Sequence, residues 1–336
     1  MAAASIHYNL GKISKVTMAV PEATGCKGKL PMKIYDMLKY KHMFDENRLS
    51  LKILNEHVRD CRITFKDDTH TYYVKWDNMD LFYTCEENVS VSTFVKQGNF
   101  PGFNADEVIA KMMANEYKFS RSKYVGMSPE EIKKLWSANG DAARDAGTLM
   151  HEAIERNVNG MDFTETELQS PEIKQYLLFE QEFVIAKGLI PYRTEWCLFS
   201  EQRIGLIGTA DVVYVCQKQP EEGVLHLSLG DWKRSKKIER TNKYQKGLGL
   251  CASLDHCNYN HYDLALLCYA HMLENFYYNF SYRGKIYNTC KIVDRWLGVF
   301  HPDQSSYQLV MFENNRDKKN VLTTMLSERK KKLAKK

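Results

Sequence analysis

The sequence predicts an α/β protein, and three observations lead there. Residues 128 to 157 repeat apolar side chains at helical spacing. Residues 192 to 199, 203 to 216 and 224 to 234 read as consecutive extended runs. A second helical stretch at 262 to 279 then precedes extended segments near 285 to 300 and 307 to 313.

Taken in order, residues 1 to 60 read as irregular and then helical at KIYDMLKYKHMF (33 to 44). Residues 61 to 95 predict a β-hairpin turning at Asp77, Asn78, Met79 and Asp80, and residues 105 to 158 predict helix. Ser128 followed by Pro129 and Glu130 marks a helix start. Apolar positions then recur at 132, 135 and 136, and again at 142, 143, 146, 149, 150, 153 and 154, with Gly147 between. One bent helix or two helices would satisfy this pattern. A basic helix from about 317 closes the chain, and there is no internal repeat.

Three segments each put a charged group at the end of an apolar run: GTLMHEAIE (147 to 155), IGTADVVYV (207 to 215) and LSLGDWKRS (227 to 235). Strand side chains alternate, so Leu227, Leu229 and Asp231 share one face and Lys233 continues it. An acid and an amine therefore point the same way. Asp211 interrupts an otherwise apolar strand, and a buried carboxylate without a partner is costly. A metal ion is a suitable partner. His151 and Glu155, four residues apart, occupy one helix face. The 20 residues from Asp211 to Asp231 suit a hairpin.

This set fits phosphodiester chemistry. Hydrolysis needs a cation that neutralises the phosphate and lowers the pKa of a water, and Mg²⁺ takes one or two carboxylates beside water and phosphate oxygens. A neighbouring lysine can orient that water, help deprotonate it or stabilise the developing charge. Taken singly, D-x-K fits an exposed ion pair, GTAD a turn, and His151 a hydrogen-bonded core histidine. In this order together they point to a metal-dependent phosphodiesterase.

The ordered set of a helical His, GTAD, DWK and a later tyrosine-bearing helix resembles the PD-(D/E)XK nuclease superfamily, in particular its RecB-like and lambda-exonuclease-like branches. HTYYV (70 to 74), SVSTFV (90 to 95), NFPGFN (99 to 104) and the tryptophan-bearing helix before GTLMH extend the likeness to viral and mobile-element exonucleases, over roughly residues 60 to 315. The resemblance implies a restriction-endonuclease-like core: a central mixed β-sheet flanked by helices, with an N-terminal accessory region. The implied divisions are an N-terminal extension (1 to 60), an accessory hairpin and helices (61 to 140), the nuclease core (141 to 315) and a basic C-terminal helix or tail (316 to 336).

By the same resemblance Asp211, Asp231 and His151 would bind Mg²⁺, with Mn²⁺ able to substitute, and Lys233 would act on the water. Glu155 matches the acidic helix position of the fold, and Glu195 in TEWCLF is a second candidate for it. The expected activity is a Mg²⁺-dependent deoxyribonuclease, an exonuclease processing DNA ends in replication, recombination or repair. One departure stands out: the branch reads Gln-x-x-x-Tyr in its later helix, whereas this chain has Ala265 four residues before Tyr269. The alternative is therefore a DNA-binding protein that keeps the fold with weak or no hydrolysis.

Composition agrees. The 336 residues, 44% of them hydrophobic, suffice for one sizeable core and a further subdomain. No apolar run reaches membrane-helix length, so no membrane partner is expected. Nine cysteines without a secretory hydrophobic region predict reduced thiols and an intracellular, nuclear or cytoplasmic protein. Lys12, Lys15, Lys27, Lys29 and Lys33, with no arginine among the first 40 residues, leave a mitochondrial presequence as a minor alternative. Cys251, His256, Cys257 and His261 fit no zinc spacing, and Cys216, Cys251, Cys257, Cys268 and Cys290 lack the compact grouping of an iron-sulfur site.

Charge is uneven. KRSKKIERTNKYQK (233 to 246) carries +6 and residues 328 to 336 carry +5, so with a net charge of +5 the remainder is −6. Basic groups just past the catalytic strand would draw in a polyanion, which makes Arg234, Lys236, Lys237, Arg240 and Lys243 candidate DNA contacts, with Tyr269 from the later helix. The C-terminal RKKKLAKK reads equally as a tail, an import signal or a DNA grip. The aromatics of HTYYVKW and NFYYNFSY (275 to 282) could stack on unpaired bases, although helical spacing in the second favours packing.

Overall fold

This computed structural model describes residues 51–66, 69, 71–75 and 88–335. The predicted helix at 33 to 44 and the predicted turn at 77 to 80 lie outside the described residues. The chain is α/β, a mixed sheet flanked by helices.

A small hairpin comes first. Strand β1 (Ile63–Lys66) pairs antiparallel with β2 (Thr71–Val74), Ile63 opposite Val74 and Lys66 opposite Thr71. The connection therefore falls between Lys66 and Thr71.

Strand β3 (Val89–Ser90) leads straight into helix α1 (Val91–Lys96), whose first turn is capped by the Ser90 side chain accepting from the Thr93 N–H. Asn104 caps α2 (Ala105–Met113) in the same way. Helix α3 (Pro129–Val158) begins with a reciprocal box: Ser128 Oγ accepts the Glu131 N–H at 3.2 Å, and Glu131 Oε2 accepts the Ser128 N–H at 2.7 Å. It runs unbroken through Gly147. Its packing is confined to its two ends, with Ile132 buried near the start and Met150, Ala153, Ile154 and Val158 near the finish, while residues 137–145 are exposed.

Helix α4 (Pro171–Phe179) continues into a π-helical turn at Glu180–Ile185 and then the strands β4 (Ile190–Phe199), β5 (Leu206–Val215) and β6 (Val224–Arg234). Helix α5 (Asn258–Phe276) follows, ending earlier than the pattern predicted because Tyr277 leaves the helix for extended backbone and is buried there. The short hairpin β7 (Phe280–Tyr282) and β8 (Lys285–Tyr287) precedes β9 (Thr289–Phe300), β10 (Gln308–Phe312) and the closing helix α6 (Arg316–Leu333).

Strands β4, β5 and β6 form an antiparallel meander, α5 crosses over to β9 parallel to β6, and β10 returns antiparallel to β9. β5 has three neighbours. β4 follows one of its edges from Ile207 to Val215. Its other edge is shared, by β6 at Val212 to Val215 and by β3 at Leu206 and Ile207. Between these two partners, from Gly208 to Asp211, that edge of β5 is unpaired.

Two apolar clusters hold the sheet. One joins α1, α5 and α6 through Val91, Phe94, Leu264, Leu267, Leu273 and Leu322 to Leu225, Leu227 and Leu229 of β6. The other joins α3 and α4 through Met150, Ile154, Tyr176 and Phe179 to Val212, Trp232 and Trp296. Phe94, Val95 and Phe100 belong to the first cluster, so the region before residue 141 contributes to the same core. Among the described residues no helix is long and apolar enough to cross a membrane.

Candidate metal centre

The unpaired stretch of β5 ends at Asp211. Its carboxylate is buried, and Oδ2 accepts the Trp232 backbone N–H of β6 at 3.0 Å, across the point where the two strands part. The alternation read from the sequence holds in β6: Asp231 and Lys233 lie together, Lys233 Nζ standing 2.6 Å from Asp231 Oδ2 and 3.7 Å from Asp211 Oδ2. The closer contact is an ion pair of ammonium and carboxylate.

Helix α3 brings His151 to the same point. Its Nδ1 is 3.6 Å from Asp211 Oδ2 and 3.9 Å from Glu195 Oε1. Donor atoms of His151, Glu195 and Asp211 all lie within 4.8 Å of one another. Ligands to one Mg²⁺ at about 2.1 Å would sit about 3 to 4.2 Å apart, so a small contraction would close this trio on a single ion. The set fits a hard cation that also tolerates an imidazole, as Mn²⁺ does.

Metal ligation was expected from Asp211, Asp231 and His151. The structure gathers Asp211 and His151 with Glu195, while Asp231 stands beside them with Lys233 as its close partner. Glu155 lies one turn beyond His151 and lines the same cleft as Glu195. That cleft has a volume of about 710 Å³ and is lined by Thr148, His151, Glu152, Glu155, Glu195 and Phe65, among others.

The electrostatics are those of a crowded anionic site. Burial raises the pKa of Asp231, the Asp211 charge raises it further, and together they carry it to about 7. Burial opposes ionisation of Asp211 too, but Lys233, His151 and the Trp232 N–H outweigh it and hold that carboxyl below its usual range. Burial and the Asp211 charge push Glu195 up, His151 acting against them, and burial with the Glu195 charge raises Glu155. Burial would lower His151, yet Asp211 and Glu195 together raise it. Lys233 is likewise opposed by burial and raised by the two aspartates, so it is an ammonium at neutral pH. More carboxylates than cations converge here, which is the condition a divalent ion relieves.

Other expected residues lie around this centre. Tyr269 is partly buried against β5, near enough to Gly208 that a Cβ there would meet its hydroxyl at 2.9 Å. Ala265, one turn before it, packs on the first apolar cluster. Arg234 is drawn to Glu172 of α4 at 2.7 Å, Lys236 pairs with Asp303 at 2.7 Å and Lys237 with Glu239 at 2.8 Å. Arg240 lies over the Tyr259 ring and Lys243 is exposed.

Sequence reasoning missed Tyr262, over whose ring the Lys233 ammonium sits at 5.5 Å, while Tyr72, one of the HTYYVKW aromatics, places its hydroxyl 2.9 Å from Thr209 Oγ1. Tyr262 is two turns before Tyr269 on one helix face, a spacing that could have marked it. No protein-family model matches the chain, and no curated protein matches it significantly.

Proposed function

We propose that this protein is a divalent-metal-dependent deoxyribonuclease with a PD-(D/E)XK, restriction-endonuclease-like core, acting as an exonuclease on DNA ends. The observation that supports this reading most is the convergence of His151, Glu195 and Asp211 within 4.8 Å, beside an Asp231–Lys233 pair 2.6 Å apart, at the edge of a large cleft. The element order, a helix, three antiparallel strands, a crossover helix and a parallel strand, gives the mixed sheet flanked by helices that the family resemblance implies.

In this reading His151, Glu195 and Asp211 would hold Mg²⁺ or Mn²⁺, with Asp231 completing the anionic wall. The bound cation would neutralise phosphate charge and lower the pKa of a water. Lys233, cationic between the two aspartates, would orient the attacking water and stabilise negative charge growing on the phosphoryl oxygens. Trp232 contributes its backbone N–H, which fixes the Asp211 carboxylate in place. The basic stretch that begins at Lys233 would hold the DNA backbone.

One experiment tests the activity and its mode together. End-labelled linear DNA and covalently closed circular DNA are incubated with the protein in Mg²⁺ or in EDTA. Metal-dependent release of nucleotides from the linear substrate, with the circle intact, is the expected result. Cleavage of the circle would replace the exonuclease by an endonuclease, and absence of cleavage with DNA binding retained would favour the inactive DNA-binding reading that Ala265 motivates.

A further inference from the structure

Glu195 occupies a backbone conformation that strands do not normally adopt. Its φ is +42°, in the left-handed region that disfavours L side chains, yet it sits inside β4 between Thr194, opposite Val212, and Trp196, opposite Ala210. Such strain persists only where the surroundings impose it.

The surroundings here are specific. In a regular strand residues 193 and 196, three apart, face opposite sides of the sheet. In β4 both reach one carboxylate: Arg193 Nη1 donates to Asp60 Oδ2 at 2.6 Å, and Trp196 Nε1 donates to Asp60 Oδ1 at 2.9 Å. The two oxygens of Asp60 thus span the kink. Asp60 is itself held by the His57 N–H at 3.0 Å, and Arg193 also donates to the Asn55 carbonyl and lies over the Trp196 ring. On the other side, Thr194 Oγ1 accepts from Asn159 Nδ2 at 2.8 Å. With 193, 194 and 196 fastened in this way, Glu195 is the residue of the four that turns to His151 and Asp211.

We infer that Asp60 is a positioning residue for the metal centre: with Arg193 and Trp196 it holds the left-handed turn of β4 that delivers the Glu195 carboxylate to the cation. The inference rests on the reading of His151, Glu195 and Asp211 as a divalent-cation site. A clamp that only secured residues 55 to 60 to the sheet would affect stability and leave cation affinity alone. A clamp that acts through Glu195 changes the affinity.

Mn²⁺ binding to the full chain, followed by the electron paramagnetic resonance of the free ion, distinguishes these roles. Wild type should bind, and Asp211→Asn should lose most of that binding. Asp60→Asn, nearly isosteric, should weaken Mn²⁺ binding by about tenfold, the scale on which partners of metal ligands act. Trp196→Phe keeps the aromatic body and removes only the N–H, and should weaken it by a smaller factor while the protein stays folded. In a Glu195→Gln background, Asp60→Asn should have no further effect, since its route to the ion is gone. Wild-type Mn²⁺ affinity in folded Asp60→Asn and Trp196→Phe would overturn the positioning role and leave the metal centre standing. If Asp60→Asn does not fold, Trp196→Phe decides alone. A wild type that does not bind Mn²⁺, or an Asp211→Asn variant that binds it equally well, would overturn the metal centre and the positioning role with it.

Discussion

Asp211 and Asp231 sit side by side, and their environments push them apart. Asp211 is kept ionised by Lys233, His151 and a backbone N–H despite its burial, whereas burial and the Asp211 charge raise Asp231 to about 7. Two carboxylates divided in this way share one ammonium, and each has a separate part in the proposed chemistry. Asp211→Ala would remove one of the proposed metal ligands, and Asp231→Ala removes the anion paired with Lys233. Both variants should lose at least about nine-tenths of metal-dependent cleavage while binding DNA as well as wild type or better, because each also removes negative charge near the phosphate. Substantial cleavage by both would sink the two-aspartate assignment. Lys233→Arg tests the third member. The ammonium fills a confined position between the aspartates and the Tyr262 ring, and a planar guanidinium cannot take up that geometry or act as a compact point charge. Single-turnover cleavage should fall by about 100-fold or more, the scale on which loss of a group that stabilises transition-state charge acts. A near-normal rate in the Arg variant would reduce the lysine to a phosphate clamp.

At the scale of elements, α5, β9 and α6 meet in one buried charge cluster. Asp263 of α5 pairs with Arg295 of β9 and, at 2.7 Å, with Lys318 of α6, and all three are buried. Asp263→Ala would leave two cations buried without their anion, a change that typically costs about 3–5 kcal/mol. Urea denaturation should show a loss of that size with an unchanged m-value, and a loss under about 1 kcal/mol would mean that the cluster is solvated on truncation. Nothing local in the sequence announces such a cluster. Its members lie on separate elements, as Asp60 and Arg193 do at a separation of 133 residues. Local patterns were legible where one force dominated: the apolar runs of β4, β5 and β6, the alternation that aligns Asp231 with Lys233, and the Ser128 cap of α3. They were ambiguous where forces nearly balance. A glycine inside a helix costs only about 1 kcal/mol, so Gly147 could not by itself decide between a broken and a continuous α3. The type of Glu195 suggested a site residue, but its left-handed backbone is imposed from outside β4, by a carboxylate that sequence proximity does not reveal.

Across the whole molecule, charge is arranged about the centre in opposite signs. The cluster of carboxylates lies at the splayed edge of β5, and the chain leaving β6 at Lys233 carries seven basic side chains within 14 residues. These are not equivalent. Arg234 is half-buried against Glu172 and ties the loop to α4, so it is committed to the fold. Lys236 and Lys237 are paired with Asp303 and Glu239 at exposed positions, and exposed pairs are worth only about 0–1 kcal/mol, which a phosphate backbone readily replaces. Arg240 rests on Tyr259 with its charge free to engage an anion as well. Changing Lys236, Lys237 and Arg240 together to Glu should therefore weaken DNA binding and flatten its salt dependence, the slope of log K against log salt falling in magnitude by about 2 to 3 for three lost phosphate contacts. None of the three belongs to the group formed by His151, Glu195 and Asp211, so the effect should appear as a higher KM with a nearly constant kcat. A triple variant with the wild-type salt slope would make this stretch a solvated loop. DNA capture would then fall to α6, whose last turn carries Lys330, Lys331 and Lys332.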